Sequence, residues 1–172
     1  MKEAAPKLQR VAMLWNAKDL GMTTRYEASA AAAKELGVAV LSFGVGEPND
    51  FGDAFEAMER DKPDGLLMVA DALTFLNRKH VFDFAAELRL PAIYESSAFA
   101  RDGGLMSYGP DEKESAEHGA NLVLRVLKGQ KPADLPLEQP TRFRLIVNLK
   151  TAKALGLTVP PGLLVAADEV IE

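Results

Sequence analysis

Cysteine is absent from the chain, which excludes disulfides, thiolate catalysis and cysteine-held zinc or iron–sulfur centres. Histidine is scarce: there are two, His80 and His118, and both fall inside predicted helices. Neither has a G-x-S-x-G motif nearby, so both read as surface or packing residues rather than hydrolase parts. No apolar run reaches membrane-spanning length, and the amino terminus reads without a charged-then-apolar leader. Beyond the short basic opening "MKEAAPKLQR", no basic patch is interleaved with aromatics, so a nucleic-acid partner is not expected. There is no P-loop, and "FGVGEP" (43–48) lacks the third glycine of a dinucleotide-binding fingerprint. No cofactor is expected.

What is present is ordinary for a globular chain of one-domain size: 172 residues, 48% hydrophobic, 26% charged, net charge −5. Short apolar runs alternate with helical patterns. "RVAMLW" (10–15) reads as a strand buried on both faces. An alanine-rich helix over 23–37 follows, capped by Thr23 or Thr24 and stopped by Gly37. "VAVLSFG" (38–44) is the second strand. A helix over 48–64 comes next, with Asn49 or Asp50 as cap and Phe51, Ala54, Phe55 and Met58 at helical spacing. "GLLMVA" (65–70) is the third strand. One helix is expected over 73–90, with Phe75, Val81, Phe82, Ala85 and Leu88 turned inward. "PAIY" (91–94) is the fourth strand, and "SSAFARDGG" a short helix or turn. This rhythm predicts an α/β fold: a doubly wound, flavodoxin-like parallel sheet with helices on both faces.

The last third differs. "GLMSYG" (104–109) reads as a short strand, and residues 110–129 as a long helix with Pro110 in its first turn, acids at its start and Gly129 at its end. "QKPADLPLEQP" is an extended linker. "TRFRLIVN" (141–148) alternates like an edge or hinge strand, "LKTAKALG" is a short helix, and "LTVPPGLLVAADEVIE" closes the chain without an assigned element. The domain reading is an α/β unit over 1–103, a crossing strand, long helix and linker over 104–140, and a returning strand with short helices over 141–172.

Ligands of open α/β sheets bind outside the carboxyl ends of the strands. Here those ends carry Trp15, Asn16, Asp71, Tyr94, Glu95, Ser96 and Ser97, with Thr74 one turn beyond Asp71. A phosphate-accepting aspartate would need an acidic pair after the first strand and a lysine after the fifth; Trp15-Asn16 and "LMSYG" supply neither. Asp71 and Glu95 are too few for a metal, so none is expected. Aromatic surface, amide, hydroxyls and carboxylate together suit a small polar organic molecule with a cationic group. Two readings stay open for Asp71, as cap of the helix from Leu73 or as anchor for an ammonium, and the two are compatible. Trp15 is a core residue or part of the site.

The stretches "RVAMLWN", "DGLLMVADALTF" and "LPAIYESSAFARDGGLMSYGPD", with the tail from "VLKGQKPADLPLEQP" through "NLKTAKALGL", resemble the solute-binding proteins of ABC importers. They are most similar to the family that includes tryptophan- and other aromatic-amino-acid-binding members. The resemblance covers essentially the whole chain. It implies a type 1 periplasmic-binding fold, in which two doubly wound lobes clamp a small solute by hinge closure. It also implies a periplasmic location, a permease partner and no enzymatic activity. Family members are about twice as long, so this chain is expected to correspond to the second lobe. The segments that cross back to the first lobe would then show an apolar face, which a second copy could cover. The family's contact positions fall on Asn16, Asp71, Thr74 and Ser96 or Ser97. The chain departs from the pattern at Ala70, where proline is frequent, and at Glu95, where a small residue is common. The alternative from another class is a free-standing flavodoxin-like regulatory or interaction domain.

Overall fold

The structure, a computed structural model, describes all of residues 1–172. In chain order the elements are β1 (Arg10–Asn16), α1 (Leu20–Glu35), β2 (Ala39–Val45), α2 (Asp50–Asp61) and β3 (Gly65–Met68). Next come α3 (Ala72–Leu76), α4 (Arg78–Glu87), β4 (Ala92–Tyr94), α5 (Ser97–Arg101) and β5 (Met106–Pro110). The chain ends with α6 (Glu112–Leu127), β6 (Phe143–Asn148), α7 (Leu149–Ala154), α8 (Pro161–Ala166) and β7 (Glu169–Ile171). No helix is long and apolar enough to cross a membrane.

One seven-stranded sheet runs β2-β1-β3-β4-β5-β6-β7. The first five strands are parallel in the doubly wound order 2-1-3-4-5. β6 then pairs antiparallel with β5, and β7 lies parallel to β6 at the edge. The sheet is therefore mixed at one side, and the strand expected over 141–148 is β6, which starts at Phe143 and is an inner strand rather than an edge. The closing stretch supplies α8 and β7, which its short apolar runs did not reveal: β7 needs β6 beside it to exist.

The main core lies on one face of the sheet, where Leu14, Leu66 and Met68 meet Phe51 and Met58 of α2 and Phe84 of α4. Burying Phe51 and Met58 contributes roughly 1.5–3 kcal/mol each, and this holds α2 down. The opposite face is covered by α1, which has no fully buried residue. It is held instead by partly buried Met22 and Tyr26, the latter stacked on Trp15 with ring centroids 5.1 Å apart.

Several boundaries move for local reasons. α1 starts at Leu20 because Asp19, in an extended conformation, accepts the Met22 N–H at 3.0 Å. Thr23 and Thr24 lie inside the helix and donate back to the carbonyls of Asp19 and Leu20. The helix expected over 73–90 is broken at Asn77, whose side-chain amide donates to the Leu73 carbonyl at 2.9 Å. The break leaves Phe75 and Leu88 about 40% exposed while Val81, Phe84 and Ala85 are buried, so the inward positions follow α4 rather than one long helix. Pro110 ends β5, and Asp111 caps α6 by accepting the Lys113 and Glu114 N–H groups. α6 has no buried residue and leaves Val123, Leu124 and Leu127 more than half exposed. It is tied to the rest through Glu114, which accepts the Arg142 N–H at 2.9 Å.

Candidate ligand-binding site

In the order 2-1-3-4-5 the chain reverses direction across the sheet between β1 and β3. Connections leave those two strands toward opposite faces, so a crevice opens at their carboxyl ends. Asn16 closes β1, and Asp71 follows β3 by three residues. The two side chains meet there: Asn16 Nδ2 donates to Asp71 Oδ2 at 2.6 Å. Asn16 is fixed on its other side, where Oδ1 accepts the Lys18 N–H at 3.0 Å.

Asp71 is also the cap of α3. Its Oδ1 accepts the Thr74 N–H at 2.8 Å, and its own N–H donates to Thr74 Oγ1 at 2.9 Å, a reciprocal capping box. The Thr74 hydroxyl sits 2.8 Å from the Val69 carbonyl and 2.9 Å from Asp71 Oδ1; its single proton serves one of them at a time. Thr74 is fully buried, so it reaches the crevice only by holding Asp71. An ionised carboxylate accepts about four hydrogen bonds, and Asp71 retains capacity on Oδ2. No Lys or Arg pairs with it.

Glu95 differs. Both its oxygens accept from Arg25 Nη1, at 2.5 and 2.7 Å, and Oε2 also faces the Ala70 N–H at 3.2 Å. Arg25 comes from α1, so the Glu95 charge is compensated within the fold. Ser96 caps α5. Its hydroxyl and that of Ser97 donate to Glu112 Oε1 at 3.2 and 2.9 Å. Arg25, Glu95, Ser96 and Glu112 border a shallow depression of about 340 Å³. Gly109 packs so closely that a Cβ there would stand 2.0 Å from the Glu95 carbonyl oxygen.

The fold thus joins Asn16, Asp71 and Thr74 in one network and Glu95, Ser96 and Ser97 in a neighbouring one. Trp15 is separate: it is buried, turned toward α1 by strand alternation, and its Nε1 donates to Ser42 Oγ at 3.1 Å. Its packing alternative describes this environment. Arg25 and Glu112 were missed as candidates. Glu112 was visible only as an acid at a helix start, and nothing local marks Arg25, which meets Glu95 across 70 positions of sequence.

The sheet order 2-1-3-4-5 places the Asn16–Asp71 pair at the switch point of a doubly wound lobe. The family model for ABC transporter substrate binding proteins matches residues 1–171, and the chain belongs to that family. No curated protein matches it. Among solved structures it is similar to an ABC domain in complex with L-Trp from Streptococcus pneumoniae, with 26% identity and a TM-score of 0.91. A conserved domain protein from Vibrio cholerae gives 20% identity and a TM-score of 0.91. A ligand-free, open substrate-binding protein with adhesive properties from Clostridium difficile gives 22% and 0.75. The matches cover 98–99% of this chain and 57% of each of those chains, so the chain spans little more than half their length.

Proposed function

We propose that this chain is the second lobe of a solute-binding component of an ABC importer, and that it takes a small organic molecule carrying an ammonium group. The observation that carries the reading is Asp71: a carboxylate at the sheet's switch point, held by Asn16 and Thr74, with no cation beside it. Glu95 has its charge met by Arg25, which leaves Asp71 as the anchor. The serine hydroxyls and Asn16 orient the rest of the solute, and binding rather than catalysis is the activity. L-Trp in the pneumococcal relative supports an amino acid as the solute. The family match supports a permease partner and an extracytoplasmic location. Residues 104–140 serve as the crossing to an opposing lobe, a role supported by the unburied face of α6. The free-standing regulatory alternative has no such observation behind it.

The test is calorimetry with L-tryptophan and indole-3-propionate, which share ring and carboxylate but differ in the ammonium. A charge-assisted bond to Asp71 should favour L-tryptophan by about tenfold or more. Asp71→Asn should remove that preference. An unchanged preference in the variant, or none in the parent, would refute the assignment.

A further inference from the structure

Arg25 lies in the second turn of α1, which follows β1, and its partner Glu95 follows β4. In the sheet order β3 stands between those two strands. The ion pair therefore passes over the carboxyl end of β3, where Ala70 and Asp71 sit. The Ala70 N–H marks that crossing, because it faces Glu95 Oε2 at 3.2 Å. The guanidinium is thus held within one carboxylate's width of the residue next to Asp71. It borders the same depression as Ala70 and Ser96.

What the guanidinium can still do depends on which edge is engaged. Glu95 takes Nη1 alone, with both of its oxygens. Nε and Nη2, the parallel donors that grip a carboxylate with two bonds, have no acceptor in the protein. The side chain is half exposed, so this edge is open to a solute. Because Glu95 already fixes the guanidinium, a second partner meets a group that has less rotamer freedom left to lose. Glu112 borders the depression from the β5 side, where the Ser96 and Ser97 hydroxyls hold its Oε1. An incoming anion is therefore received on the Arg25 side.

We infer that Arg25 is a specificity-determining residue of the strand-end site: its Nε–Nη2 edge receives the solute's carboxylate, a role that rests on the assignment of the ammonium to Asp71. In an α-amino acid the ammonium nitrogen and the carboxylate carbon are about 2.5 Å apart. Charged hydrogen bonds of about 2.7–2.9 Å at each end let the two neighbouring groups hold both charges of one molecule. The solute class narrows from any ammonium compound to a zwitterionic α-amino acid.

The probes are L-tryptophan, tryptamine and indole-3-propionate, titrated into the full chain by calorimetry. L-tryptophan and tryptamine share ring and ammonium and differ in the carboxylate. The parent chain should bind L-tryptophan about fivefold more tightly than tryptamine, the size expected of a half-exposed charge pair. Arg25→Gln should remove that difference without weakening tryptamine, and L-tryptophan should still bind more tightly than indole-3-propionate. Equal binding of L-tryptophan and tryptamine to the parent would overturn the role of Arg25. So would a preference that survives Arg25→Gln, since other donors would then hold the carboxylate. Either result leaves Asp71 as the anchor wherever L-tryptophan still outbinds indole-3-propionate. If it does not, the Asp71 assignment fails and the role of Arg25 fails with it. No binding of any probe up to about 10 mM would overturn both.

Discussion

Replacing Thr74 by valine tests how Asp71 is held, because the change keeps the shape of a fully buried side chain and deletes only its hydroxyl. That hydroxyl accepts the Asp71 N–H at 2.9 Å and lies 2.8 Å from the Val69 carbonyl. Both backbone groups lose a partner in the variant. Each orphaned group costs about 1–3 kcal/mol, and the added methyl returns about 0.8 kcal/mol through burial. The net expectation is a loss of about 1–5 kcal/mol, a large share of the roughly 5–15 kcal/mol that stabilises a typical domain. Urea denaturation at neutral pH measures it, and the midpoint should fall with little change in slope. Thr74→Ser is the control: it keeps the hydroxyl, loses a methyl, and should cost about 1 kcal/mol. A valine variant within about 0.5 kcal/mol of the parent would refute the reasoning. So would a serine variant that costs as much as the valine one.

Three further outcomes follow from the same geometry. Gly109→Ala forces a Cβ against the Glu95 carbonyl and should cost about 1–3 kcal/mol in denaturant titrations, whereas Gly52→Ala, which meets open space, should not destabilise the chain. Arg25→Gln leaves Glu95 without its cation; Arg25 is half exposed, so the stability change should stay below about 1 kcal/mol and shrink with added salt. Glu114 is held below the ordinary carboxylate range by its hydrogen bond from Thr141 and by the Arg142 N–H, and Glu169 by its hydrogen bond from Arg101. Depressed carboxylates stabilise the folded state above their unfolded pKa and lose that contribution as pH falls through the folded value. Stability should therefore decline on acidification below the ordinary carboxylate range, with faster exchange of the Arg142 amide, and Glu114→Gln should flatten that part of the profile.

The alternation of short apolar runs with helical patterns was enough to read the doubly wound half of the fold, because strands of β1, β3 and β4 are buried on both faces and carry a continuous apolar signal. The strand ends were readable for the same reason, and with them Asn16, Asp71 and Glu95. The break at Asn77 was not, since it rests on one side-chain hydrogen bond to a carbonyl four residues back, an option open to any helical asparagine. β7 was hidden because three residues do not make a strand without a neighbour to pair with.

By itself, then, the sequence determined the fold class and the row of candidates, since periodicity and strand-end position are local properties. Tertiary structure decided which carboxylate remains free. Asp71 and Glu95 look alike in the sequence, but α1 brings Arg25 to Glu95 and β1 brings only a neutral amide to Asp71. It also decided that Thr74 and Trp15 are buried. Charge compensation and burial depend on residues far apart in the chain, and no local pattern records them.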